Sequence, residues 1–129
     1  MFEVVDWGLP RNKGPVSNAV RAGGKVYTVQ IPRDPASGEV LAQGDIREQT
    51  RQCLSNLVKV MKAAGGSLAD VVQVLVYLVE GTDAEGMNEV YKEFFKDPYP
   101  NRATVVVKEL LVSGMRVEMV VHGHVGPAA

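Results

Sequence analysis

The chain has 129 residues, 46% apolar and 22% charged, with a formal net charge of −1; this is the composition of one globular domain, expected to span 1–129. With no basic excess there is no electrostatic footprint for a phosphate backbone, so nucleic acid is not an expected partner. A single cysteine, Cys53, excludes an intrachain disulfide, and neither a signal-peptide pattern nor an apolar run of the roughly 18 residues that span a bilayer is present, so a soluble cytoplasmic chain is expected.

Residues Phe2 to Asp6 and Ser17 to Arg21 read as short strands. The segment between them carries Gly8, Pro10, Asn12, Gly14 and Pro15, the composition of a loop. After a tight turn at Ala22-Gly23-Gly24-Lys25, the β-branched and aromatic run Val26 to Ile31 reads as a strand. Asp34, Pro35, Ser37 and Gly38 make the next turn.

The first helix is expected to start at Asp45, a good N-cap, with Glu48 placed to return the hydrogen bond. Ile46, Thr50, Cys53, Leu54, Leu57, Val58 and Met61 fall on one helical stripe, so Cys53 reads as a small core residue. Gly65-Gly66 supplies a left-handed C-cap. Val71 to Val79 is nearly continuous apolar sequence and asks for burial on both faces; in so short a chain, that points to contact with another subunit. Thr82 and Glu85 form a capping box for a second helix, with Met87, Val90, Tyr91, Phe94 and Phe95 as its apolar stripe. Asp97-Pro98-Tyr99-Pro100 ends it. Strands at Ala103 to Lys108 and Arg116 to His122 follow. The order predicts an α+β fold, a mixed sheet of about six strands backed on one face by both helices.

Arg102 and Glu118 are the polar residues with the strongest chemical case. A guanidinium at the entry to a strand presents a fixed fork to a carboxylate. A carboxyl in the apolar strand Arg116-Val117-Glu118-Met119-Val120-Val121 rises in pKa if half-buried, which suits proton transfer near neutral pH. The competing readings are a surface arginine in a polar turn and an outward-facing glutamate. Glu109 has a weaker claim. His122 and His124 share a strand face, but no third and fourth ligands accompany them, so no metal is expected. The glycines fit neither the P-loop nor the dinucleotide fingerprint.

The collinear segments Gly14-Pro15, Asn18 to Gly23, Gln30 to Pro35, Asp45 to Leu57, Ala63 to Val72, Met87 to Phe95, Pro100-Asn101-Arg102 and Arg116 to Met119 closely resemble the Rid (reactive-intermediate deaminase, YjgF-like) family. The resemblance implies a chorismate-mutase-like fold. It also implies a homotrimer with ligand clefts between subunits, and hydrolysis of small imino or enamino acids such as 2-iminopropanoate and 2-iminobutanoate to 2-keto acids and ammonia, without metal or organic cofactor. It makes Arg102 the carboxylate clamp and Glu118 the residue that activates water, with Val16, Thr28, Val29, Asn88 and Thr104 lining the pocket. Departures from the family pattern are Val16 where Tyr is usual, Thr28-Val29 where Ser-Gly is usual, and Ala103 where Ser or Thr often follows the arginine. They leave open a different substrate, or a module that binds a small carboxylate without turnover. RNA cleavage, attributed to some relatives, is disfavoured by the pI of about 6.1.

Overall fold

A computed structural model describes residues 1–41 and 44–126. Six strands, β1 (Glu3–Val4), β2 (Ala19–Ala22), β3 (Lys25–Gln30), β4 (Val71–Leu78), β5 (Asn101–Val106) and β6 (Val117–His124), join in the order β1-β2-β3-β6-β4-β5. All pairs are antiparallel except β4 with β5. That parallel pair needs a crossover, and α2 (Ala84–Phe94) supplies it. The longer helix α1 (Ile46–Ala63) links β3 to β4.

Alternation along the strands decides which face meets the helices. Val26, Thr28 and Gln30 of β3, Val74, Val76 and Leu78 of β4, and Val117, Met119 and Val121 of β6 are buried beneath α1 and α2. The intervening residues point to the other face, which none of the described residues covers fully: Tyr27 and Val29 on β3 are exposed, and Leu75, Tyr77, Glu118, Val120 and His122 half-buried. The expected α+β sheet with both helices on one face is therefore found. The apolar β4 is buried on one face only within the chain.

Helix boundaries follow local chemistry. The Asp45 carboxylate accepts the Glu48 amide at 2.9 Å, which is one half of the expected capping box. At the other end Gly66 N–H bonds the Met61 carbonyl and Gly65 N–H that of Lys62, a Schellman motif that needs the positive φ of +94° found at Gly65. The stripe on α1 is phased slightly differently from the expectation. Val58 is 41% exposed and Val60 is buried instead, together with the amides of Gln49 and Asn56. The capping box expected at Thr82/Glu85 does not form. Gly81–Asp83 is a turn of 3-10 helix, and Asp83, the residue before α2, makes no side-chain cap because its carboxylate is engaged elsewhere. Among the described residues no helix is long and apolar enough to cross a membrane.

Candidate functional site

Arg102 lies on β5 opposite Val74, on the helix-facing side of the sheet, at an edge that α2 only partly covers. Its guanidinium carbon sits 4.6 Å from the centroid of the Tyr91 ring, and one terminal nitrogen is 3.9 Å from the Met87 sulfur. Both partners are neutral. Among the described residues Arg102 makes no ion pair with a carboxylate; the three that form are Arg47–Glu89, Arg51–Glu93 and Arg116–Asp83. The arginine is therefore a half-buried cation with most of its donors unspent. Thr104, two residues along β5, is exposed on the same face, and Asn88 is half-buried on α2, one turn before Tyr91.

Glu118 lies on β6 opposite Tyr77, on the uncovered face, between the buried Val117 and Met119. Partial burial raises its carboxyl pKa above the usual range. The same carboxylate acts through the sheet on Cys53, whose thiol is pushed up chiefly by its own burial and then by the charge of Glu118. Cys53 is thus an inert core thiol, as its place on the α1 stripe suggests.

The remaining expected pocket residues cluster around β3. Val29 is 38% exposed on the uncovered face and pairs with Val120. Thr28 points the opposite way and is buried; its hydroxyl donates to the Asn18 carbonyl and accepts from Gln30 Nε2, each at 2.9 Å. Val16 is 61% exposed in the loop before β2, where a concavity is lined by that loop from Trp7 to Asn18. Asn18, which carried no signal of its own in the sequence, fastens this corner. Its amide nitrogen donates to the Val29 carbonyl at 2.9 Å, and its amide oxygen accepts the Trp7 indole at 2.8 Å.

The residues named from sequence thus fall into two groups. Arg102, Thr104 and Asn88 stand at the β5–α2 edge; Val16, Val29 and Glu118 belong to the β3–β6 side, with Thr28 buried behind them. Arg102 and Glu118 face opposite sides of the sheet with β4 between their strands, so one chain does not bring them together on a small ligand. Glu109 is exposed beyond β5. His122 meets the Tyr27 ring edge-on at 5.2 Å, and His124 is exposed at the end of β6. No cluster of three or more His, Cys, Asp or Glu side chains suited to a metal occurs among the described residues.

A network that the sequence did not reveal joins the elements that carry the two groups. Arg116, two residues before Glu118, donates through Nε and Nη2 to the two oxygens of Asp83 at 2.8 and 2.9 Å, just before α2. Buried Gln49 of α1 accepts the Arg116 amide at 2.7 Å and donates to the Gly114 carbonyl at 3.0 Å. The entry to β6 is therefore tied to α1 on one side and to the start of α2 on the other.

Comparison with known proteins adds to this geometry. The sequence profile described as Endoribonuclease L-PSP matches residues 9–125. A RutC family protein of Pyrococcus horikoshii is 46% identical over 102 residues, covering 78% of this chain and 80% of that protein. The human 2-iminobutanoate/2-iminopropanoate deaminase is 38% identical over 107 residues, covering 82% and 77%. Among solved structures, Escherichia coli TdcF with bound serine superposes with a TM-score of 0.83 at 31% identity, covering 96% of this chain and 98% of that one.

Proposed function

Since the chain belongs to the Endoribonuclease L-PSP family, the Rid or YjgF family, we propose that it hydrolyses small reactive 2-imino or 2-enamino acids to 2-keto acids and ammonia. The reaction takes place in clefts between copies of the chain in a homotrimer. The observation that carries this reading is Arg102: a half-buried guanidinium held by an aromatic face and a thioether, with no carboxylate of its own. A cation kept this way is poised for an external anion.

Arg102 binds the substrate carboxylate and fixes the adjacent C=N carbon. Glu118 from a neighbouring copy takes a proton from water as the oxygen attacks that carbon, and gives it to the nitrogen. The carbinolamine then collapses, releasing ammonia and leaving the keto acid. A carboxyl whose pKa is lifted by burial is better matched to both transfers at neutral pH than an ordinary glutamate. Holding the reactants in register supplies much of the remaining rate. Asn88 and Thr104 line the arginine's side of the cleft, and Val16 and Val29 the other; Thr28, expected there from the sequence, is buried behind them and holds Asn18 instead of a ligand. The family's description carries a nuclease name, but a net charge of −1 offers no track for a phosphate backbone.

The test generates 2-iminopropanoate with an amino-acid oxidase and follows its loss. The full chain is expected to accelerate hydrolysis, and Arg102→Ala to reduce kcat/KM by about 10²-fold or more, the scale of a lost charge-assisted fork. No acceleration, or acceleration unchanged in Arg102→Ala, would overturn the reading. One observation favours a second reading. Val29 puts a branched, 38% exposed side chain where the family pattern has glycine, which suits a trimer that binds a 2-keto acid without turning it over. Calorimetry showing Arg102-dependent pyruvate binding without turnover would select it.

A further inference from the structure

We propose that Tyr91 is a positioning residue for Arg102: its ring aims the guanidinium, and its hydroxyl accepts one guanidinium N–H while the others grip the ligand carboxylate. The inference rests on the reading of Arg102 as an anion clamp. A long arginine at a sheet edge samples many rotamers unless something holds it. The usual holder, a carboxylate, would spend the donors that a ligand needs. Tyr91 holds the cation through its face, 4.6 Å away, and leaves the fork free.

The platform itself is rigid. Tyr91 is 4% exposed and packs at 4.5 Å on the ring of Phe95, one turn on in sequence, so it has little freedom of its own. Met87, one turn earlier on α2, bounds the guanidinium through its sulfur. The hydroxyl is the unexplained part. It is buried and has no hydrogen-bond partner among the described residues, whereas buried tyrosine hydroxyls normally find one. Burial disfavours its ionised form, and the charge of the neighbouring Arg102 guanidinium acts in the opposite direction. An orphaned acceptor beside a cation with unspent donors is an arrangement that closes when the arginine settles on an anion.

The experiment measures pyruvate binding by calorimetry and imine turnover for the full chain, Tyr91→Phe, Tyr91→Leu, Arg102→Ala and the double variant Tyr91→Phe/Arg102→Ala. Tyr91→Phe keeps the ring and loses the acceptor. It is expected to weaken pyruvate binding about 3- to 10-fold, the scale of the net contribution of one ordinary hydrogen bond, and to raise KM with kcat nearly unchanged. Tyr91→Leu loses both functions and is expected to approach Arg102→Ala. In the Arg102→Ala background, Tyr91→Phe is expected to change nothing further, a non-additivity that a purely structural role would not produce. If Tyr91→Leu fails to fold, the Tyr91→Phe cycle decides by itself. Wild-type affinity and KM in Tyr91→Phe, or losses that add to those of Arg102→Ala, would overturn the inference and leave the clamp reading intact. Equal pyruvate binding by the full chain and Arg102→Ala, or none by either, would overturn both.

Discussion

Arg102 and Glu118 occupy opposite faces of one sheet, on strands separated by β4. Adjacent strands lie about 4.8 Å apart, and the sheet itself intervenes, so one small anion cannot touch both groups of a single chain. If both act on one substrate, each must come from a different copy through a head-to-tail interface. Chains carrying Arg102→Ala mixed with chains carrying Glu118→Gln should then regain activity that neither has alone. Random mixing would restore about one site in four, since each site needs an intact arginine from one copy and an intact glutamate from the next. Mixed oligomers seen by native mass spectrometry with no regained turnover would count against a shared site.

The lifted pKa of Glu118 makes a pH prediction whose sign is fixed by burial. A carboxyl raised in the folded state stabilises the fold while it is protonated, below its unfolded pKa. That contribution is lost as pH rises through the folded value. Glu118→Gln removes the buried charge. It should therefore melt at a higher temperature than the parent at neutral pH, with the difference vanishing in acid. Calorimetric melts from pH 4 to pH 8 check this; a gap that widens toward acid would show that the carboxylate is favoured in the fold, not penalised.

What the sequence made legible was what is local or periodic. Asp45, the Gly65 C-cap and the strands β3 and β6 depend on near neighbours and emerged close to their expected places. The failures came from non-local partners. Thr82/Glu85 has the form of a capping box, but Arg116, more than thirty residues away, engages Asp83, and the chain enters α2 through a 3-10 turn instead. Gln49 and Asn56 fall on the buried side of α1 because each finds a distant backbone partner, Gly114 with Arg116 and Arg33 respectively. Tyr91 was legible as a core aromatic, but its place under Arg102 depends on the β4–β5 pairing, which no local pattern encodes. For the same reason, the candidate residues could be named from sequence while their division between two faces could not.

The Arg116–Asp83 pair should respond asymmetrically to mutation. The Asp83 side chain is 7% exposed and that of Arg116 41%. Arg116→Met leaves a buried carboxylate without its cation, and should cost about 2–3 kcal/mol after allowance for solvent screening on the arginine side. Asp83→Ala releases an arginine that reaches water on its own, and should cost about 1 kcal/mol. Urea unfolding of both variants measures the difference. Equal losses would mean that the pair contributes through packing alone.

Val29 is the departure best placed to limit turnover, because its side chain stands on the uncovered face opposite Val120. Val29→Gly removes that side chain, and should raise kcat/KM for 2-iminopropanoate about tenfold, the scale on which a pocket discriminates a methylene or two. It should also destabilise the strand by about 1 kcal/mol, since glycine loses more conformational freedom on folding than valine does. Unchanged or reduced turnover in a folded variant would show that valine belongs to this chain's own pocket and does not obstruct it.

Gly86 lies on α2 against the start of α1. A methyl group there would sit 2.7 Å from Ile46 Cγ2 and 3.1 Å from the Arg47 guanidinium. On helix propensity alone Gly86→Ala would stabilise by about 1 kcal/mol. Arg47 is exposed and can move aside, but Ile46 is branched at Cβ, so its Cγ2 methyl has little room to turn, and it is buried against the core, so the helices must shift. Overpacking of this kind costs about 1–3 kcal/mol, and the net expectation is a loss of about 1 kcal/mol. The decisive comparison is the same substitution in an Ile46→Ala background, where the clash is gone and the sign should reverse to a gain. A loss in both backgrounds, measured by thermal unfolding, would mean that α2 needs glycine at this position for some reason other than its contact with α1.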